Sequence, residues 1–509
     1  MKQQSDRRAG ERGAAFLLVM ALGVGILGIV GLALDAGQLY VTKRRAQTAA
    51  DAAAQAGVMD LYRRNGSAAA TASATAYGVK NGFTAPEVNS EYPDCSTLAW
   101  CNGHVTLSGW DDPNLIQVTV TRVVNTVFLR VLGINSATVK AVATAAITIE
   151  PQPVPILVLH PTAPGSFSKN GSNTITICGG PPRSIQVNSS STSSISISGA
   201  SGTVDLSHAG PFDTAGDCTA GTGADFANVG SQNPYPGTLL LGTKPGQYIS
   251  PASAIDDPLL SVAEPSVQPP PPLAPVIANT AVAQALHNCP TTCTIISPGY
   301  YDGTSNRLDT ISGYTIMRPG IYWINHNGFQ LGSGTIVRMA SAVVDMNDPR
   351  TGTTWTNNVV IYNNPQSPAN SSRDIFSIDA NSGKLPGNNT YPSADCPSGG
   401  NCFNGSPTTS GYKGILFFQS RATATTLNHQ LQGGGGLTLR GTIYLTHTAA
   451  SIAGDGKYQL LSLQGNSGGT TKVEGEIIVD MLSLGGTSSI TMNLSSAAIF
   501  PVRQVALVQ

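Results

Sequence analysis

Residues 14–34, AAFLLVMALGVGILGIVGLAL, contain no charged or strongly polar side chain. At about 1.5 Å of rise per residue, a helix of that length crosses a hydrocarbon core of about 30 Å. The chain is therefore expected to begin as a membrane anchor. Residues 1–13 form its N-terminus, and Ala14, Phe16, Leu17, Leu18 and Leu34 belong to the span. Gly23, Gly25, Gly28 and Gly31, with Ala21 and Ala33, leave strips of small side chains that let another helix approach closely. A cleavable signal peptide is the alternative, with Gly31-x-Ala33 as a small-residue cleavage site. The apolar run is longer than a signal core and a helical pattern continues beyond it, which favours a retained anchor.

Composition excludes some classes of partner and suggests a compartment. Only 11% of residues are charged and the formal net charge is -1, so no nucleic-acid footprint exists. A hydrophobic content of 41% argues against disorder. The eight cysteines include three pairs close in sequence, Cys95 with Cys101, Cys289 with Cys293 and Cys396 with Cys402, which leaves Cys178 and Cys218 to each other. After a membrane anchor, this arrangement reads as disulfides in an oxidising compartment. Zinc is the rival reading, but no C-x2-C knuckle is present. Basic residues lie on both sides of the span (Lys2, Arg7, Arg8 and Arg12 before it, Lys43, Arg44 and Arg45 after it), so their distribution does not orient the helix. The cysteines favour a cytoplasmic N-terminus with the bulk of the chain outside.

Beyond the span, residues 35–64 are alanine-rich and lack proline, so the helix should continue. Ala46, Ala49, Ala50, Ala53, Ala54 and Gly57 recur at helical spacing and suit close packing. A solvated stalk is the plainer alternative. Residues 66–80 read as a second helix stopped at Asn81-Gly82. LIQVTVTRVVNTV and SATVKAVATAAITIE alternate as strands around the short turn FLRVLGI. Helices on a small sheet make residues 35–150 a pilin-like α+β domain in outline, closed by Pro151-Gln152-Pro153.

The stretch RGAAFLLVMALGVGILGIVGLALDAGQLYVTKRRAQTAADAAAQAG resembles the N-terminal module of TadG-like proteins of the bacterial tight-adherence (Flp pilus) systems. The resemblance rests on the Arg-Gly before the apolar run, Asp35 at its end, a Tyr and basic cluster, and AADAAAQAG. Pilin subunits of such systems carry a glutamate five residues after the processed glycine, whereas here the fifth residue after Gly13 is Leu18. That difference argues against processing at this position and against assembly as a fibre subunit. Several TadG-like proteins continue with an Asp-x-Ser-x-Ser strand that opens a von Willebrand factor A domain. Here the corresponding segment is His160-Pro161-Thr162-Ala163-Pro164, which lacks the oxygen ligands of that metal site.

Residues 151–233 are periodic instead. Ile175–Ile177, Ile185–Val187, Ile195–Ile197 and Val204–Leu206 are short alternating strands at steps of 10, 10 and 9 residues, the spacing of a solenoid. A β-sandwich is the alternative. Residues 234–297 interrupt the pattern with a proline-rich spacer, DPLLSVAEPSVQPPPPLAPV, and a short helix, ANTAVAQALHN. Residues 298–509 resume it. The blocks PGIYWI, GGLTLRGTIYLT and GEIIVDMLSLGG resemble the C-terminal portion of TadG-like proteins without the von Willebrand domain, and imply rungs of a right-handed parallel β-helix.

No motif for catalysis, cofactor or metal stands out. Asp302, Asp309, Asp345, Asp348, Asp374 and Asp379 could pair across rungs as a glycoside hydrolase requires, but their contexts are those of turns. The histidines at 104, 160, 208, 287, 326, 429 and 447 lack metal-binding spacing, and Gly433–Gly436 lacks the lysine of a phosphate loop. Tyr300, Tyr301, Tyr322 and Trp323 offer stacking positions for a glycan or protein, although alternation should turn one of the last two inward.

The resulting expectation is a mainly β chain: a transmembrane helix, a pilin-like α+β domain and a right-handed parallel β-helix-like ectodomain. It would act as a non-enzymatic, single-pass inner-membrane component of an Flp pilus assembly system, with its ectodomain in the periplasm or outside the cell. Its partners would be other assembly proteins, the pilus itself, or a surface glycan or protein. The competing class is an anchored carbohydrate-active β-helix enzyme.

Overall fold

Proline-free, alanine-rich sequence continues the apolar run without a break, and in the computed structural model the two form one helix, α1 (Gln3–Tyr62). The structure describes residues 3–93 except 64, residues 115–150, and residues 154–507 except 173, 181–182, 199–202, 210–217, 219–220, 233–237, 243–245, 347–354, 367–368, 380, 424, 449–451, 453–455, 466–470, 487–489 and 495–501. Cys95, Cys101, His104 and Asp348 lie outside the described residues, as do the side chains of Ala14, Phe16, Leu17 and Leu18.

A first unit comprises residues 1–150 with 503–509, and a second comprises 151–502. In the first unit, α1 is followed by α2 (Gly66–Lys80), then β1 (Val88–Glu91), β2 (Leu115–Asn125) and β3 (Ser136–Glu150). The C-terminal strand, Val502–Leu507, joins the far side of β3, so the sheet order is β1-β2-β3-C-terminal strand. The chain thus leaves the small sheet at β3 and re-enters it at the adjacent strand, which makes the second unit an insertion. β2 and β3 pair antiparallel from Leu115↔Ala146 to Asn125↔Ser136. Their alternation puts Ile116, Val118, Val120, Val139, Ala141, Ala143 and Ala145 in one core with the alanines of α1.

The second unit is built from parallel sheets. Ile156–Val158, Phe167–Lys169 and Thr174–Gly179 enter three different sheets in succession, and the next three strands, Arg183–Val187, Ile195–Ile197 and Thr203–Asp205, pair beside them in the same order. The registers Ile156↔Ile185, Phe167↔Ile195 and Ile175↔Val204 stack like on like. The ladders continue as one ten-stranded and two seven-stranded sheets. Their inward residues form one apolar core in which Phe329, Phe376, Phe403 and Phe417 lie ring against ring. Among the described residues, three disulfides are present: Cys178–Cys218, Cys289–Cys293 and Cys396–Cys402, with Cα separations of 5.0, 6.1 and 6.0 Å.

Strand order does not follow chain order. Ile156–Val158 lies between Arg183–Val187 and Ile477–Val479, so the last turns of the chain pair with the first. The chain winds outward from the middle of the ten-stranded sheet to its edge at Tyr248–Ile249. It then crosses to the opposite edge at Gly299–Tyr301 and winds back.

The proline-rich segment makes that crossing as a packed strap over the ten-stranded sheet. Gln186 Nε2 and Asn188 Nδ2 donate to the carbonyls of Ser253 and Ile255. Leu259 and Val262 are buried against Tyr362, Phe418 and Tyr444 on the outward face of the strands. Arg421 donates to the Leu259 and Val262 carbonyls at 3.0 and 2.8 Å and to the Tyr444 hydroxyl at 2.8 Å. Glu264 accepts from the Arg421 N–H and from the Tyr362 hydroxyl. At the far end the Pro270 carbonyl accepts from Tyr300 N–H, and a Cβ on Gly299 would meet Pro270 O at 2.8 Å, so the proline run needs glycine there. Truncating the buried Arg421 would leave the strap's own Glu264 and Asp257 without the cation that faces them. We expect R421A to lower unfolding stability by about 3–5 kcal/mol in denaturant titrations. Limited proteolysis should then cut within residues 250–298 (unchanged stability and resistance would contradict this account of the strap).

Candidate functional site

The small residues of α1 define the helix–sheet module of the first unit. Ala46, Ala49, Ala50, Ala53 and Ala54 are fully buried, and they pack within the chain against β2, β3 and α2. A methyl group is the largest side chain this stripe offers, so the helix axis lies close to the sheet and contact is spread along the helix. Gly57 marks the tightest approach: a Cβ there would lie 2.6 Å from Ile116 Cδ1 and 3.1 Å from Ala70 O. By contrast, Gly23, Gly25 and Gly28 face open space among the described residues.

At the end of the apolar run the helix grips the β2–β3 hairpin. The Asp35 carboxylate, 2% exposed, accepts from the backbone N–H groups of Val127, Phe128 and Leu129 at 3.0, 2.8 and 2.6 Å. It thereby caps the single 3-10 turn Leu129–Leu132 at the hairpin tip. Sequence singled out Asp35 by its place after the run. Its partners lie 92 to 94 residues away, so no local pattern could reveal its role. Near the hairpin end of β2, Glu87 accepts two bonds from Arg122, at 2.8 and 2.7 Å, and the Arg122 guanidinium stacks on Phe83.

In the second unit the proposed stacking aromatics are largely covered. Tyr301 and Tyr322 belong to the inner core, whereas Trp323 and Tyr362 pack edge to face on the outer side with the strap's Leu259 and Val262. Alternation did send Tyr322 inward. Trp323 is nonetheless only 7% exposed, because the strap belongs to the outward face as well.

The candidate carboxylates are occupied locally. Asp302 accepts from Thr304 and Asn306 N–H, Asp379 from Asn381 N–H, and Asp374 from Asn327 and Asn370 N–H. Asp309 pairs with Arg307, and buried Asp345 with His287 and Arg318. A cleft of about 570 Å³ is lined by Asp395, Asn404, Arg440 and Glu474 among others. Burial pushes the Glu474 carboxyl up, but Lys472 at 2.8 Å and Arg440 at 2.7 Å hold it below its ordinary value, so it is an anion rather than a proton donor. The buried pair His447 and Asp480 bonds to Gln459, which reaches His429, whose ring burial lowers to a pKa of about 4. Among the described residues, no group of three or more His, Cys, Asp or Glu is placed to hold a metal ion.

The Arg122 bonds hold the Glu87 carboxyl at about 2, against 4.5 ordinarily. A depressed carboxylate stabilises the fold fully above its ordinary value and loses that contribution as pH falls toward the folded value. We therefore expect the first unit to lose stability between pH 4.5 and 2, and E87Q to flatten the profile across that window when melts are followed by circular dichroism. An unchanged slope in E87Q would contradict this assignment.

Compared with known proteins, residues 13–60 match the Tad family, described as "Putative Flp pilus-assembly TadE/G-like". No curated protein and no solved structure matches. The matched residues coincide with the part of α1 that holds the apolar run, Asp35 and the buried alanines. Residues 13–60 are thus a TadE/G-like module, and they support reading this chain as a TadG-like protein of Flp pilus assembly.

Proposed function

We propose that the chain is a membrane-anchored, non-enzymatic component of a bacterial Flp pilus assembly system, and that its large second unit winds as a right-handed β-helix that presents a contact surface. The observation that carries this reading is the family match on residues 13–60, which falls on a helix that is apolar below Asp35 and built into a sheet above it. Among the described residues, one helix, near the N-terminus, is long and apolar enough to cross a membrane, which supports a single-pass anchor. Three disulfides support an ectodomain on the oxidising side of the inner membrane, in the periplasm or beyond.

Three features support the β-helical reading. Successive strands enter three sheets in rotation, neighbours in each sheet are parallel, and apolar residues stack in register. Right-handedness follows from the strong preference of parallel crossover connections for that hand. The proposed mechanism is mechanical. The anchor docks among other assembly proteins, and the solenoid, tied by both ends to one small sheet, offers the pilus, the secretion channel or an external glycan a stiff surface. Deleting the coding sequence should abolish Flp pili and surface attachment, with both restored by the full chain in trans. Unaltered pilus number and attachment would overturn the proposal. Glycan cleavage by the purified protein, abolished by one carboxylate substitution, would instead favour an enzyme.

A further inference from the structure

We infer that the β2–β3 hairpin tip, residues 126–134, is itself seated in the bilayer beside the helical span, so that the anchor is a helix with a lipid-embedded loop clasped to it. This rests on the reading of residues 14–34 as a membrane span and adds a second point of membrane contact.

Depth is the first observation. A Cβ on Gly31 would lie 2.4 Å from Cδ1 of Phe128, so the Phe128 ring rests on the helix at Gly31. Gly31 precedes Asp35 by four residues, which is about 6 Å along the helix and inside the apolar run. A tip that touches Gly31 reaches the level of the hydrocarbon wherever the run itself does.

Surface chemistry is the second. Val127, Phe128, Val131, Leu132 and Ile134 are exposed by 65, 42, 87, 67 and 46%. Such an apolar cluster on a loop is costly in water. It is continuous with the exposed Ile29, Val30, Leu32 and Leu34 of the span, so one solvent suits both surfaces, and that solvent is lipid. The only charged side chain of the tip, Arg130, is exposed and long enough to carry its guanidinium to the headgroups.

Backbone satisfaction is the third. Irregular backbone is tolerated at membrane depth only where its polar groups are paired. Asp35 takes the N–H groups of Val127, Phe128 and Leu129. Those of Val131, Gly133 and Ile134 donate within the tip, to Phe128, Arg130 and Leu129 carbonyls. Thr126 donates through its N–H to the Asn135 carbonyl and through its hydroxyl to that of Ile134. Asp35 is therefore a positioning residue that holds the loop against the helix and pairs the amides the bilayer cannot.

The test uses the full chain in phosphatidylcholine–phosphatidylglycerol vesicles, with a fluorophore on one of three introduced cysteines: V131C in the tip, L27C in the span or V79C on α2. Doxyl-labelled lipid should extinguish most V131C and L27C emission and leave V79C bright, while aqueous iodide should do the reverse. In the D35A background, lipid quenching should be lost at V131C and kept at L27C. Iodide quenching at V131C with lipid quenching at L27C would overturn the inference and leave the anchor intact. Shielding of V131C from both quenchers would mean that a protein covers the tip, and would also overturn it. Absence of lipid quenching at L27C would remove the span and this inference with it.

Discussion

The first unit depends on how closely a helix can lie on a sheet. Five fully buried alanines and Gly57 let α1 pack within side-chain contact of β2, β3 and α2 over several turns, where larger residues would hold it away. Each methyl group contributes little alone, and the gain comes from many small contacts at interior density. The same helix carries the apolar run, so that run and the domain core form one continuous element. Asp35 stands at the junction of the two and ties the hairpin tip to it.

Inserting a large unit into so small a sheet requires its ends to leave and return together, and the permuted strand order provides this. The first strand of the second unit pairs with Ile477–Val479, and Thr174–Gly179 pairs with Ile490–Leu494, so the earliest and latest turns are neighbours. The cost is a long crossing from one edge of the ten-stranded sheet to the other. A chain making that crossing over an apolar outer face must cover it and satisfy its own backbone. Proline reduces the number of amides to satisfy, and Arg421, Asn188 and Gln186 take carbonyls along the way.

Much of this was legible in residues. The apolar run, the alanine spacing and the strand–turn–strand of 115–150 are local patterns, and local patterns survive folding. The ten-residue steps from Ile175 to Val204 marked the short strands, but not their partners: consecutive strands enter different sheets, and each pairs with the third strand along, as Ile175 does with Val204. What escaped depends on contacts between distant segments. The proline run read as a spacer because nothing in its composition names the face it covers. Trp323 read as half of an in–out alternation because a strand does not record a second layer over its outer side. Asp35 read as a boundary mark because its three donors belong to a hairpin formed much later in the chain.

The central claim, that α1 is at once anchor and core, is tested most directly by hydrogen–deuterium exchange of the full chain in lipid nanodiscs. Amides 46–61 should exchange as slowly as those of β2 and β3, in one cooperative unit with them. Rapid exchange of 36–62 beside a protected sheet would show a solvated stalk instead and contradict the account.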